Sequence, residues 1–142
     1  MKSRPDVAAN RARILIVDDD RADRQLLEVL LASEDYAIET AASGEEALAI
    51  VDQQPPDLIL LDLKLPDMDG YEVVGKIKDN AATRNIPVIM ITAHYEHNVR
   101  LLGLSAGAES FLTKPVNRAE LCVRVRRLLR LKAYGDYHDK LS

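Results

Sequence analysis

Five polar side chains able to do chemistry, four of them ionic, stand at the ends of short apolar runs. Asp18 and Asp19 follow Arg13-Ile-Leu-Ile-Val17, and Asp62 closes Leu58-Ile-Leu-Leu-Asp62. Thr92 follows Ile86-Pro-Val-Ile-Met-Ile91, and Lys114 follows Glu109-Ser-Phe-Leu-Thr113. Carboxylates held close together repel and raise one another's pKa unless a cation offsets the charge. A hard divalent cation such as Mg2+, which takes oxygen ligands and keeps several waters, suits such a cluster. Asp19 and Asp62 are the expected ligands, with Asp18 acting directly or through water. Asp62, already ionised at neutral pH, can attack a phosphoryl group as a carboxylate nucleophile and form a mixed anhydride. Phosphoryl transfer needs mainly alignment and charge neutralisation; the Lys114 ammonium and the Thr92 hydroxyl supply donors to the phosphoryl oxygens.

These groups act together only if the chain brings its strand ends to one place. Each run has strand length and is bounded by turn residues, the pattern of a strand buried on both faces of a parallel sheet. A weaker alternation from Tyr36 to Ala41 predicts an edge strand. Between the strands, Leu26, Leu27, Leu30 and Leu31 recur at helical spacing from about Arg21 to Ser33, with Asp20 as N-cap. Ser43 and Glu46 form a capping box opening a helix through Val51, and Pro55-Pro56 ends that segment. Val73, Val74 and Ile77 predict a helix after Gly70. Val99, Leu101, Leu102 and Leu104 predict a modest fourth helix, weakened by Gly103. Asn117 and Glu120 cap a last helix with Leu121, Val125, Leu128 and Leu129 on one face and Arg124, Arg126, Arg127 and Arg130 mostly outside. Strict βα alternation implies a parallel sheet with right-handed crossovers and helices on both faces. The carboxyl ends of such strands are where open α/β sheets hold their ligands.

At 142 residues, 47% hydrophobic and 30% charged, the chain fits one globular domain with a real core. Its net charge of −4 argues against direct nucleic-acid binding and against an anionic membrane surface, both of which normally need a basic footprint. No apolar run approaches the ~18 residues of a membrane span, and the basic N-terminus lacks the apolar core of a secretory signal, so the cytoplasm is the expected location. The single cysteine, Cys122, forms no internal disulfide and reads as a packing residue. Residues 1–12 read as a flexible lead-in and 13–131 as the domain. Residues 132–142 read as a helical extension or linker, either a frayed helix end or the start of a helix leading into an output domain.

These motifs resemble the receiver domain of two-component response regulators over Ile14 to about Leu131. The resemblance is carried by Ile-Leu-Ile-Val-Asp18-Asp19, by Leu-Ile-Leu-Leu-Asp62-Leu-Lys-Leu-Pro66 with Met68-Asp-Gly70, by Ile-Met-Ile-Thr92-Ala93, and by Gly107-Ala with Phe111-Leu-Thr-Lys114-Pro115. It implies a flavodoxin-like (βα)5 fold of strand order 2-1-3-4-5. It also implies that Asp62 takes a phosphoryl group from the phosphohistidine of a cognate histidine kinase or phosphotransfer protein. Asp18, Asp19, Asp62 and the backbone carbonyl of Lys64 would hold Mg2+, for which Mn2+ can substitute. Thr92 and Phe111 would form the switch, Phe111 lacking the hydroxyl of the family's frequent Tyr, and Lys114-Pro115 would be a cis peptide. Lys64 and His94 match rim positions that tune phosphoryl lifetime. Output would pass through the last two helices and the fifth strand to a downstream domain or protein, and a homodimer through the last helices is left open. By this resemblance the chain is a signalling switch that catalyses its own phosphorylation and dephosphorylation, not an enzyme with a separate substrate. A stand-alone regulator, a phosphorelay intermediate and an excised receiver all stay open.

Two rivals fit less well. A haloacid-dehalogenase-type phosphatase would want Gly and Thr or Val after Asp18-x-Asp20, where Arg21-Ala22 stands. A receiver fold used only for docking would not need an intact acceptor, metal carboxylates, Thr92 and Lys114. Asp67 and Asp69 read as turn residues, with Gly70 permitting the turn. His94, His97 and His138 lack a metal-ligand pattern and read as solvent-facing.

Overall fold

Five strands, Arg13–Val17 (β1), Ala37–Ala41 (β2), Leu58–Asp62 (β3), Val88–Thr92 (β4) and Ser110–Thr113 (β5), pair in parallel in the order β2-β1-β3-β4-β5. The computed structural model describes residues 11–93 and 97–141, the side chains of 97–100 and 137–141 excepted. Five helices alternate with the strands: Arg21–Leu31 (α1), Gly44–Gln53 (α2), Gly70–Asp79 (α3), His97–Ala106 (α4) and Arg118–Leu141 (α5). The order is that expected of a flavodoxin-like sheet. Most of the predicted lead-in, the rim residue His94, and the side chains of Val99, His97, Tyr137, His138 and Leu141 lie outside the described residues.

Side-chain alternation along each strand divides the core into two layers. Leu15, Val17, Ile59, Leu61, Val88 and Met90 face α2, α3 and α4, together with Val73, Val74 and Ile77. Ile14, Ile16, Leu58, Leu60, Ile89 and Ile91 face α1 and α5, together with Leu27, Leu31, Leu121 and Val125. Both faces of the central strands are therefore dry, and an unbroken β-branched and leucine run fits there where an alternating one would bury polar groups. Each buried side chain of this size contributes roughly 1.5–3 kcal/mol, so the sheet is the rigid frame on which the strand ends are mounted.

Local signals set the helix starts. Asp20 accepts hydrogen bonds from the backbone N–H groups of Ala22 and Asp23 and caps α1. Ser43 Oγ accepts from Glu46 N at 3.1 Å, and Glu46 reaches back to Ala42 N at 2.6 Å, one residue earlier than a reciprocal capping box requires. Asp69 caps α3 and Asn117 caps α5.

Two helices show features that the sequence pattern does not record. In α4 the leucines that suggested the helix, Leu101, Leu102 and Leu104, are exposed, and among the described side-chain positions of this helix Gly103 is the buried one. A Cβ on Gly103 would meet Met90 Sδ at 2.9 Å and Phe111 Cε2 at 3.3 Å, so the absent side chain lets the helix lie close over β4 and β5. In α5, Gly135 does not interrupt the helix, which runs to Leu141. The cost of a helical glycine, about 1 kcal/mol, is too small to break a helix anchored over its first half by buried Leu121, Cys122 and Val125.

The ends of β4 and β5 away from the carboxyl rim are tied by one ion pair. Lys78 Nζ, from α3, lies 2.8 Å from Glu109 and donates to the carbonyls of Ile86 and Arg84 at 2.7 and 3.1 Å. Glu109 in turn accepts from Val88 N at 2.8 Å.

Candidate functional site

Strand register decides which groups meet at the carboxyl rim. Val17 pairs with Leu61, so the next residues, Asp18 and Asp62, emerge level on adjacent strands. Asp62 pairs with Ile91, which puts Thr92 one step further along β4; Thr92 pairs with Thr113, which puts Lys114 one step beyond that. Lys114 N donates to Thr92 O at 2.8 Å and continues the ladder past the end of β5. By the same alternation Asp18, Asp62 and Lys114 leave the sheet toward α1 and α5, and Thr92 leaves it toward α3 and α4.

The rim is ionic and partly dry. Asp18 is 1% exposed and Thr92 1%; the Asp62 side chain is 11% exposed, and Asp19 stands open to solvent. Carboxylate oxygens of Asp18, Asp19 and Asp62 lie within 4.8 Å of one another. Lys114 Nζ reaches Asp23 at 2.8 Å, Asp18 at 3.0 Å and Asp62 at 3.5 Å. Asp18 also accepts from Asp20 N at 2.9 Å, while its backbone carbonyl takes a 2.6 Å hydrogen bond from the Arg24 guanidinium.

Burial pushes the Asp62 carboxyl up to about 6, and the neighbouring Asp18 charge adds to the rise; the Lys114 ammonium and the Lys64 backbone N–H, 3.4 Å away, pull only partly against it. For Lys114, burial works against the charged form but is outweighed by its hydrogen bonds to Asp23 and Asp18 and by the Asp62 charge, so its pKa lies above the usual lysine range. The site thus holds more negative charge than its lysine neutralises. An all-oxygen donor set with uncompensated charge is what a hard divalent cation fits, and Asp18, Asp19 and Asp62 are the residues placed to hold it.

The loop after Asp62 folds back tightly over the rim. Gly70 N donates to Leu63 O at 2.7 Å, and Lys64 and Asp69 form an antiparallel bridge. A Cβ on Gly70 would lie 2.8 Å from the Asp62 carbonyl oxygen and 3.0 Å from Leu63 Cα, so only glycine allows this return. The loop is also pinned from outside: Asp67 accepts from Gly44 N at 2.9 Å and from Glu45 N at 2.8 Å, at the start of α2. Those two hydrogen bonds hold the Asp67 carboxyl below the usual carboxylate range. Phe111 is buried beneath α4 in the layer that contains Met90. The Lys114–Pro115 peptide is cis.

Two residues of the site have no clear mark in the sequence. Asp23 is one more acid in an acid-rich stretch, and its bond to Lys114 joins positions 91 residues apart. Asp67 looks like a turn residue, and nothing local shows that it caps a helix 22 residues earlier.

A five-stranded parallel sheet of order 2-1-3-4-5 with an acidic rim and a facing lysine defines a CheY-like α/β signalling fold. The chain belongs to the response regulator receiver domain family, whose model matches residues 14–126. It is 49% identical over 125 residues to the response regulator PleD of Caulobacter vibrioides (strain NA1000 / CB15N), a match covering 88% of this chain and 28% of PleD. It is 41% identical over 130 residues to the transcriptional regulatory protein ResD of Bacillus subtilis (strain 168), covering 92% of this chain and 53% of ResD. The chain therefore spans about half or less of these two relatives. The crystal structure of a CheY-like response regulator receiver domain protein from Methanospirillum hungatei JF-1 superposes with a TM-score of 0.82 at 33% identity, covering 89% of this chain and 99% of that one.

Proposed function

We propose that the chain is the phosphoacceptor module of a two-component or phosphorelay system, taking a phosphoryl group onto Asp62 from the phosphohistidine of a histidine kinase or phosphotransfer protein. The observation that carries this reading is the meeting of Asp18, Asp19 and Asp62 within 4.8 Å, with Lys114 Nζ 3.5 Å from Asp62. In the transfer, an Asp62 carboxylate oxygen bonds to phosphorus as the donor's N–P bond breaks, and the electron pair returns to the imidazole nitrogen. No proton has to leave Asp62, so no general base is needed. Lys114 and the Thr92 hydroxyl donate to phosphoryl oxygens and keep them in line. Asp18, Asp19, Asp62 and the Lys64 carbonyl would hold Mg2+, or Mn2+ in its place, which would supply charge neutralisation for the phosphoryl oxygens. Water then hydrolyses the acyl phosphate and restores the carboxylate, so the module resets itself.

The new charge and acceptor oxygens at Asp62 bias Thr92 and Phe111, and through them the α4-β5-α5 face that meets a downstream domain, a partner protein or a second copy. By the family resemblance, Lys64 and His94 are the residues that tune access to the phosphoryl group. Residues 13–131 form the receiver, with 132–142 as a helical extension toward an output. The cytoplasm, where kinase and regulator meet, is the compartment this reading requires; among the described residues no helix is long and apolar enough to cross a membrane.

The test is intact-mass spectrometry after incubation with Mg2+ and acetyl phosphate. A single phosphoryl adduct that is lost in Asp62→Asn is the expected result. Absence of an adduct in the wild type, with acetyl phosphate and with a phosphorylated kinase alike, would overturn the reading.

A further inference from the structure

Lys114 Nζ carries three N–H donors and no more, and three carboxylates surround it. The closest oxygen belongs to Asp23 at 2.8 Å, the next to Asp18 at 3.0 Å, and the acceptor Asp62 is the farthest at 3.5 Å. All three contacts lie within hydrogen-bond range, so the ammonium has no donor left over for an incoming phosphoryl oxygen. It also sits on the α1 side of the rim, drawn away from the atom at which the phosphoryl group arrives.

Asp23 is well placed to hold it there. It occupies the first turn of α1, where its own backbone N–H is fixed by the Asp20 cap at 3.2 Å. The packing of Leu27 and Leu31 into the core fixes the helix on the sheet. The carboxylate is thus carried by a rigid element. Asp18, at 3.0 Å, is the next closest to the lysine but is a candidate metal ligand. Asp23 is not among the three carboxylates that cluster for a cation.

We propose that Asp23 is a positioning residue that acts through Lys114: it parks the ammonium on α1 in the unphosphorylated protein and has to release it before a phosphoryl group on Asp62 can be fully engaged. Asp23 thereby sets a threshold for phosphorylation. The chain gains a resting state in which Lys114 is satisfied without a phosphoryl group. It gives up part of the lysine's attraction for phosphoryl oxygens in exchange. This inference rests on the phosphoacceptor reading of Asp62.

The test is a double-mutant cycle on Asp23→Asn and Lys114→Met, read in two ways. One is the rate of adduct formation with acetyl phosphate and Mg2+ by intact mass. The other is the affinity of the Mg2+-loaded protein for beryllofluoride, a phosphoryl mimic, by calorimetry, which needs no chemistry to occur. Asp23→Asn keeps an acceptor but loses the charge, and a partly exposed charge-assisted hydrogen bond leads to an expected gain of roughly three- to tenfold in both readouts. In the Lys114→Met background the same substitution is expected to change neither. A gain that persists without the lysine would show that Asp23 merely repels anions, and no gain in the single variant would show that it does not hold the lysine back; either result overturns the proposal. A general loss of structure would lower both readouts, opposite to the expected gain. If the wild type forms no adduct and binds no mimic, the phosphoacceptor reading itself fails. If the wild type does both and Asp23→Asn matches it, only the role of Asp23 fails.

Discussion

Replacing the acceptor, Asp62→Asn, is expected to stabilise the metal-free protein at neutral and alkaline pH. Burial and the Asp18 charge raise the Asp62 carboxyl from its usual 3.8 to about 6. Below about pH 4 the group is protonated in the folded and unfolded chains alike, and its ionisation costs nothing. Between about pH 4 and 6 the folded protein keeps a proton that the unfolded chain has lost, so stability falls as pH rises. Above about pH 6 the folded protein bears the whole cost. At roughly 1.4 kcal/mol per pH unit the full displacement corresponds to about 3 kcal/mol. Asn keeps the shape and removes the charge, and local relaxation takes back part of that gain, leaving roughly 1–3 kcal/mol. For a chain of this length that is a rise in Tm of about 3–9 °C at pH 8. The assay is thermal unfolding in a chelator at pH 4, 6 and 8, repeated with Mg2+. The two proteins should converge near pH 4 and separate as pH rises. Mg2+ should raise the Tm of the wild type by mass action and leave the Asn variant nearly unmoved. An Asn variant no more stable than wild type at pH 8, or a gap of equal size at pH 4, would refute the assignment of uncompensated charge to this rim.

Two further substitutions probe the loop over the site. Gly70→Ala puts a methyl group against the Asp62 carbonyl and Leu63 Cα; because backbone cannot step aside like a side-chain tip, a loss of about 1–3 kcal/mol in chemical denaturation is expected, with slower adduct formation. Asp67→Ala removes both bonds to the start of α2 and should weaken Mg2+ binding several-fold through the Lys64 carbonyl, while Asp67→Asn, which keeps an acceptor, should lose less. Equal Mg2+ affinity in all three proteins, measured by calorimetry, would show that the pin does not position the metal loop.

The sheet and its working rim were legible in the sequence because both depend on short-range signals. An apolar run ending in a charge is readable at Val17-Asp18 and Leu61-Asp62, and parallel topology then carries those charges to one edge. The caps Asp20, Ser43 and Asn117 are likewise local, each bonding within three residues. What escaped are contacts that cross elements. Asp23 and Lys114 meet only because α1 lies beside the end of β5, and Asp67 meets α2 only because the loop folds back. In α4 a hydrophobic pattern pointed to the helix but not to its orientation. Gly103 faces the core because Phe111 and Met90 fill the space a side chain would take, and no periodicity in α4 itself records that. That α5 runs on past Gly135 is not recorded locally either, because it depends on the anchoring of the helix along its first half by Leu121, Cys122 and Val125.

The pairing of Lys78 with Glu109 makes the sheet mechanically lopsided. At the amino end of β4 and β5, one ammonium grips two carbonyls and a carboxylate that itself holds a backbone N–H. At the other end, the same two strands finish in Thr92 and Lys114. The two ends are held by different kinds of bond: the amino end by a lysine that binds main-chain carbonyls, the carboxyl end by a lysine whose three partners are the carboxylates of Asp18, Asp23 and Asp62. Under the phosphoacceptor reading, a change of charge at Asp62 acts directly on the lysine at the carboxyl end, while the Lys78 clamp at the amino end contains no group of the acidic rim. The latch is thus a fixed point for the sheet that ligand chemistry at the rim leaves chemically untouched.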